Sequence, residues 1–233
     1  MWLHAPNINC RHGFSTRYGG VSKAPFHELN LGGSQDIPTS IEQNRKIAME
    51  AIGLAFNSLC LLKQVHGSKV CPGEFGCQEG DALVSNQTGK TLAVSIADCY
   101  PILFQDSKNG VIAAAHAGWR GTLAGIAGKV IQQMIQLGAE TSAIQVAIGQ
   151  GISQQNFEVG AEVVDLFLAE KFPNSCIFNS KIDLITCNKH VLKQHNIPDS
   201  NIWSMNRCTF EDEFFSYRRD KGITGRMWAV IAQ

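Results

Sequence analysis

Four short apolar segments between residues 58 and 118 constrain the fold of this chain more than any other feature. They are SLCLLKQVHGSKV, TLAVSIADC, PILFQD and GVIAAAHAG. Each is bounded by Gly, Pro or Asp, which is typical of strands that end at turns. Residues 92–96 and 111–115 are apolar at nearly every position, as expected for strands that are covered on both faces. The segments therefore predict a buried sheet.

Helical patterns stand on both sides of these segments. TSIEQNRKIAMEAIGL predicts a helix with Ser40 as its N-cap. GTLAGIAGKVIQQMIQLGAE predicts one continuous helix that ends at Gly138. Two more helices are predicted over AEVVDLFLAEKF and, with Asp183 as cap, over DLITCNKHVLKQHN, and GRMWAVIA predicts a closing strand. The order of elements favours an α/β sandwich with helices packed on a mixed sheet.

Composition narrows the class of protein. The chain has 233 residues and no linker rich in Pro, Gly or Ser, so we predict a single domain over residues 1–233. Its 20 basic and 20 acidic residues cancel, which argues against nucleic acid or an anionic membrane as a partner. The first residues do not have the pattern of a signal peptide, so we expect a cytoplasmic protein whose eight cysteines are reduced.

Side chains that carry out chemistry stand at the ends of the apolar segments. Asp98 and Cys99 end one segment, His116 lies near the end of another, and His66 follows a third. Strand ends converge at one edge of an α/β sheet, so residues far apart in sequence can meet there. We therefore predict a site that contains His66, Cys99 and His116, with Asp98 beside it.

Two chemistries use this set, and the sequence alone does not separate them. In the first, a metal ion is held by the Cys99 thiolate and two imidazoles, which leaves a fourth position open for water. Asp98 would then carry a proton or orient a ligand histidine. In the second, no metal is present, Cys99 is the nucleophile, His116 is its base, and Asp98 or another polar group orients the base.

Arginines in three glycine-containing loops favour an anionic ligand. They are Arg17 in HGFSTRYGG, Arg120 in HAGWRGT, and Arg218, Arg219 and Arg226 in FFSYRRDKGITGR. HAGWRGT is also predicted to open a helix, whose free backbone amides attract anions. Among these arginines we assign Arg17, Arg120 and Arg219 to the binding of phosphate.

Several motifs, in a fixed order, resemble those of a known family. They are HGFSTRYGGVS, LNLG, QVHGSKV, GDALVSN, ADCYPILF, AAAHAGWRGT, FEVG and FFSYRRDKGITGR. They resemble the bacterial polyphenol oxidase or laccase-domain proteins, which are now described as purine nucleoside phosphorylases. The resemblance implies a three-layer α-β-α sandwich, related to the catalytic domain of cytotoxic necrotizing factors and grouped with cysteine hydrolases.

The same resemblance implies an activity and a cofactor. His66, Cys99 and His116 match the metal ligands of the family, which implies zinc, with copper as a further candidate. The implied reactions are phosphorolysis of adenosine, inosine, guanosine and methylthioadenosine, together with deamination of adenosine. The partners would then be purine nucleosides and phosphate, and we expect a monomer or a homodimer.

Three other functions remain open at this point. A multicopper laccase is excluded, because its trinuclear cluster alone needs more imidazoles than the five that remain when His66 and His116 are subtracted from seven. A single-copper oxidase is still compatible, since the Irving–Williams order favours Cu(II) over Zn(II). The others are a Cys99–His116 amidase or deamidase acting on peptidoglycan precursors, and a zinc-stabilised binding protein without turnover.

Overall fold

The computed structural model describes residues 1–33 and 35–233, and it contains two mixed six-stranded sheets. Sheet 1 has, in spatial order, β1 (Trp2–Leu3), β2 (Arg11–Ser15), β14 (Met227–Ala232), β7 (Thr91–Ile96), β3 (Leu59–Lys63) and β5 (Cys77–Glu79). Sheet 2 has β13 (Ile202–Ser204), β10 (Gln145–Ile148), β8 (Tyr100–Asp106), β9 (Val111–Ala117), β6 (Ala82–Ser85) and β4 (Val70–Pro72). A separate ribbon pairs β11 (Ile177–Phe178) with β12 (Lys181–Ile182).

The two sheets pack face to face, and helices cover their outer faces. Leu92 of β7 and Leu103 of β8 belong to the same apolar cluster between the sheets. Helix α1 (Pro38–Ala51) packs Met49 into the cluster of Trp228 on the outer face of sheet 1. The outer face of sheet 2 is covered by α3 (Ile126–Gln136), α4 (Ala161–Ala169) and α5 (Leu184–Gln194). The layer order is therefore α-β-β-α.

The predicted mixed α/β class is confirmed, but the predicted three-layer α-β-α sandwich with one sheet is wrong. A strand buried on both faces has the same apolar sequence whether a helix or a second sheet covers it. In β7, Leu92 and Val94 face sheet 2 while Ala93 faces the α1 side, and nothing in their apolar character distinguishes the two layers. The relation to the cytotoxic necrotizing factor fold stays a prediction.

Three connections between the sheets meet at one end of the sandwich. They join β3 to β4, β5 to β6 and β7 to β8. Because β5 and β7 are both parallel to β3, the C-terminal ends of these three strands lie at the same end of sheet 1. The connections contain His66, Asp81 and the Asp98–Cys99 pair, so the topology places residues from distant parts of the chain at one end.

The helix boundaries differ in two places from those predicted. Helix α1 begins at Pro38 with Ile37 as its N-cap, so Ser40 lies inside the first turn and does not cap it. The segment predicted as one helix forms α2 (Trp119–Leu123) and α3, which are separated at Gly125, where φ is 69°. A left-handed residue interrupts the helical hydrogen bonds. The predicted cap Asp183 is confirmed, since its side chain accepts a hydrogen bond from the Thr186 backbone N–H.

None of the helices within residues 1–33 and 35–233 has both the length and the apolar character that crossing a bilayer requires.

Candidate metal centre

The structure brings His66, Cys99 and His116 together at the end of the sandwich. One ligand atom from each lies within 4.8 Å of the others. His66 is exposed in the β3–β4 connection, Cys99 is partly exposed in the β7–β8 connection, and His116 is buried near the end of β9. Across the β8–β9 pair, His116 is opposite Pro101, which brings its ring close to the turn that carries Cys99.

The spacing of these atoms fits one metal ion. In a tetrahedral site with metal–sulfur and metal–nitrogen bonds of about 2.3 and 2.0–2.1 Å, ligand atoms lie about 3.3–3.6 Å apart. The limit of 4.8 Å on the separations exceeds these values by about 1 Å, so closure around an ion needs a contraction of at most that order. A Cβ at Gly118 would lie 2.9 Å from the Cys99 Sγ, so a glycine there leaves room for the sulfur.

Asp81 is the carboxylate that contacts the candidate ligands. His116 Nδ1 donates to Asp81 Oδ1 at 2.9 Å, and the same carboxylate accepts from the backbone N–H of His66 at 2.9 Å and of Gly67 at 2.7 Å. With Nδ1 engaged, the His116 Nε2 atom is left to bind a metal. Burial raises the pKa of Asp81, but the hydrogen bonds from His116 and Gly67 outweigh burial and bring it below its ordinary value.

Without a metal, Cys99 and His116 shift each other's pKa toward the thiolate and the imidazolium. Burial raises the pKa of the Cys99 thiol, but the charge and hydrogen bond of His116, with a further hydrogen bond from His66, lower it to about 6. Burial lowers the pKa of His116, but Cys99 and Asp81 raise it to about 9. A deprotonated thiol is the form that ligates metals and also the form that attacks carbonyl carbon.

Asp98 lies beside Cys99, but its carboxylate is engaged elsewhere. It accepts hydrogen bonds from the Thr209 hydroxyl at 2.6 Å, the Ser216 hydroxyl at 2.7 Å and the Arg218 backbone N–H at 2.7 Å. Its φ of 90° is unfavourable for a residue with a side chain, and these three bonds hold it there. The partners of the Asp98 carboxylate are thus these three groups and not a ligand histidine.

A cavity of about 730 Å³ is lined in part by His66, Cys99 and His116. Its volume is in the range typical of small-molecule sites. Aromatic side chains of Trp119, Phe157 and Tyr217 contribute to its walls, and the arginines that line it are Arg120, Arg218 and Arg226. In the described part of the chain, no carboxylate forms an ion pair with any of these three arginines.

Two of the three arginines assigned to phosphate from the sequence lie outside this cavity lining. Arg219 is paired with Asp220 and also donates to the backbone carbonyls of Thr209, Phe210, Glu211 and Phe214. Arg17 donates to the His27 carbonyl and lies 4.7 Å from the centroid of the Phe215 ring. Arg17 and Arg219 thus contact neighbouring loops outside the cavity lining, and their assignment to phosphate stays a prediction. Arg120, Arg218 and Arg226 are the arginines that line the cavity.

The two-sheet fold and this site define an α/β protein with one candidate metal centre in the wall of a cavity that three arginines also line. The chain belongs to the family described as multi-copper polyphenol oxidoreductase laccase, whose model matches residues 11–233. Among the described residues, His66, Cys99 and His116 are the one group of three or more His, Cys, Asp or Glu side chains whose ligand atoms converge. The site therefore offers ligands for a single ion, whatever the family description says of several coppers.

The relatives of the chain carry a different name. It is similar to the purine nucleoside phosphorylase of Deinococcus radiodurans, with 42% identity over 233 residues that cover 98% of this chain and 91% of the relative. It is 38% identical to the purine nucleoside phosphorylase YfiH of Escherichia coli (strain K12), over 93% of this chain and 91% of the relative. The crystal structure of YlmD from Geobacillus stearothermophilus superposes with a TM-score of 0.94 at 32% identity, and the match covers 100% of this chain and 96% of that one.

Asp81 was not among the site residues predicted from the sequence, although its position beside an apolar segment could have indicated it. In GDALVSN the aspartate stands directly before an apolar segment, whereas the other candidates stand after one. A search of both ends of each apolar segment would have included it, because the chain enters sheet 2 at the same end of the molecule where it leaves sheet 1.

Proposed function

We propose that this protein is a zinc-dependent purine nucleoside phosphorylase that also deaminates adenosine. The substrates would be adenosine, inosine, guanosine and methylthioadenosine. The observation that carries the proposal is the convergence of His66, Cys99 and His116 at a cavity that also exposes arginines without carboxylate partners. The names of the relatives support phosphorolysis in particular.

Phosphorolysis forms a bond between a phosphate oxygen and C1′ of the ribose and breaks the bond between C1′ and the purine nitrogen. The attacking group is an anion, so it needs a cationic site. Arg226 is half-buried, lines the cavity and directs one guanidinium nitrogen to the Thr224 and Gly225 carbonyls at 3.0 Å, which leaves its other N–H groups for an anion. We assign phosphate to Arg226, with Arg120 and Arg218 contributing to the positive field.

The purine ring needs a flat apolar surface. Trp119, Phe157 and Tyr217 offer such surfaces on the walls of the same cavity. A bound zinc ion supplies Lewis acidity, which polarises substrate oxygen and activates water for deamination. His66, Cys99 and His116 would hold the ion, and all three line the cavity that would receive the substrate.

Asp98 was predicted to carry the proton in deamination. Three donors already occupy its carboxylate, so we propose instead that it holds the turn that presents Cys99. This role also ties the cavity wall to the metal centre, because one of the three donors is the backbone N–H of Arg218, which lines the cavity.

The proposed phosphorylase and deaminase activities are tested by identifying the reaction products of protein whose metal content has been measured. Zinc-loaded protein incubated with adenosine and phosphate is expected to give adenine and ribose 1-phosphate, together with inosine from deamination and hypoxanthine from phosphorolysis of that inosine. Complete removal of zinc by a chelator is expected to abolish all of these products, and added zinc is expected to restore them. Full turnover after verified metal removal would contradict metal dependence, and no product at high enzyme concentration would favour a binding protein.

A second candidate function is supported by one contact. His116 lies between Cys99 and Asp81, so a thiol, an imidazole and a carboxylate form a chain of the kind that activates cysteine nucleophiles. A metal-free Cys99–His116 amidase would act on amide bonds of peptidoglycan precursors. Zinc would have opposite effects on the two activities. It would be required for phosphorolysis, but it would inhibit amide hydrolysis, since a bound ion would block the Cys99 thiol. Amide hydrolysis that rises on chelation would favour this candidate over the phosphorylase.

Use of copper in place of zinc, a cytoplasmic location and a monomeric or homodimeric state stay predictions.

A further inference from the structure

Asp81 is a fully buried carboxylate that receives four N–H groups from two separate parts of the candidate metal centre. Oδ1 accepts from the His66 backbone N–H and from His116 Nδ1, both at 2.9 Å. Oδ2 accepts from the Gly67 backbone N–H at 2.7 Å and from the Val65 backbone N–H at 3.3 Å. One side chain therefore connects the β3–β4 connection to the end of β9.

We infer that Asp81 is a positioning residue that sets the ligand geometry of both His66 and His116 before a metal ion arrives. The inference rests on the proposed metal site and deepens it. Asp81 does not contact the ion itself, because its oxygens are occupied by the four donors. It acts through the backbone of one ligand and through the ring of the other.

The His66 segment needs such support. His66 has a φ of 60°, in the left-handed region that residues with a Cβ adopt rarely. The imidazole is exposed, and the contacts of its ring are with the other two candidate ligands, Cys99 and the His116 ring, whose centroid is 4.8 Å away. Three successive backbone N–H groups, from Val65 to Gly67, point at Asp81 and fix the turn.

The His116 ring needs a defined tautomer. A carboxylate only accepts hydrogen bonds, so Nδ1 keeps its proton and Nε2 is the ring nitrogen that can lose its proton and become a ligand. Nε2 is then free to bind a metal ion. Carboxylates that contact metal-binding histidines in this way typically change metal affinity by about 10- to 100-fold when they are removed.

Four donors on two oxygens also mean that asparagine cannot replace Asp81. An amide group keeps one acceptor and turns the other position into an N–H donor. That donor would face either the His66 N–H and His116 Nδ1 or the Val65 and Gly67 N–H groups. In either orientation the amide N–H group faces other N–H groups and cannot accept their hydrogen bonds. Asp81→Asn therefore disrupts hydrogen bonds to the candidate metal centre while keeping the size of the side chain.

Asp106 provides a matched control. It is also fully buried, and its carboxylate also accepts four hydrogen bonds, from the backbone N–H groups of Lys108, Asn109 and Glu140 and from the Asn109 side chain. It lies at the far end of β8 from Cys99. Asp106→Asn therefore imposes the same chemical change on a buried carboxylate remote from the metal centre.

The test compares zinc affinity, measured by competition with a chromophoric chelator, in wild type, Asp81→Asn and Asp106→Asn. We expect Asp81→Asn to bind zinc about 10- to 100-fold more weakly and Asp106→Asn to match wild type. Equal affinity of Asp81→Asn and wild type would overturn the role of Asp81 alone. A wild-type protein that does not bind zinc would overturn the metal site, and the inference with it.

A second measurement needs no variant and stays decisive if Asp81→Asn does not fold. Hydrogen exchange in metal-free wild-type protein is expected to show slow exchange at the amides of His66 and Gly67, because Asp81 holds them without metal. Exchange of both amides at the rate of an unstructured chain would show that the site is not set in advance, which would overturn the inference.

Discussion

Replacing Cys99 with serine is expected to abolish nucleoside turnover and to weaken zinc binding by more than about 100-fold, the upper limit for loss of a residue that only supports a ligand. Serine keeps the size of the side chain, but its hydroxyl group is not among the usual zinc ligands, which are Cys, His, Asp and Glu. The measurements are zinc affinity by chelator competition and product formation from adenosine and phosphate.

Cys77→Ser is the control for this substitution, because Cys77 is an exposed thiol on β5 and lies outside the converging ligand group. It should leave both zinc affinity and turnover at the wild-type level. A Cys99→Ser protein that retains wild-type zinc affinity would show that the sulfur is not a ligand. Retained affinity with lost turnover would instead favour Cys99 as a nucleophile.

Replacing Arg226 with methionine is expected to raise the KM for phosphate by about 10- to 100-fold, because a charge-assisted hydrogen bond contributes about 1.5–3 kcal/mol. The effect on the KM for the nucleoside should be smaller, and zinc affinity should not change, since Arg226 contributes to the cavity wall and not to the ligand group. Initial rates over a matrix of phosphate and inosine concentrations separate the two KM values.

Arg45→Met is a matched control for Arg226→Met. Both guanidinium groups lie over an aromatic ring, at 5.3 Å from Trp228 for Arg45 and 5.8 Å from Tyr217 for Arg226, and burial lowers the pKa of both. Arg45 packs on the α1 side of sheet 1 and does not line the cavity. A similar rise in the KM for phosphate in both variants would mean that the effect is not specific to the cavity.

The sequence allowed prediction of the elements and of the candidate ligands, for a physical reason. Packing at the ends of buried strands is served by apolar side chains, so His66, Cys99 and His116 at these positions indicated a functional site. Strand ends meet at an edge whichever sheet they belong to, and the prediction that these residues lie together therefore did not depend on the number of sheets.

The sequence did not allow prediction of the number of layers in the fold or of the hydrogen-bond partners of the arginine side chains. Leu92 and Ala93 have the same apolar character, yet they face different layers, and only the three-dimensional structure shows that the layer against Leu92 is a second sheet. The role of an arginine depends on what surrounds it. Arg219 and Arg226 stand seven positions apart in one loop, but Arg219 is occupied by Asp220 and by backbone carbonyls, whereas Arg226 opens to the cavity.

The most direct test of the account is anomalous diffraction at the zinc edge from crystals of the zinc-loaded protein. We expect one anomalous peak at about 2.3 Å from the Cys99 Sγ and at about 2.0–2.1 Å from a ring nitrogen of both His66 and His116. A zinc peak at another place in the molecule, with these three side chains beyond bonding distance of it, would contradict the metal centre and the chemistry that depends on it.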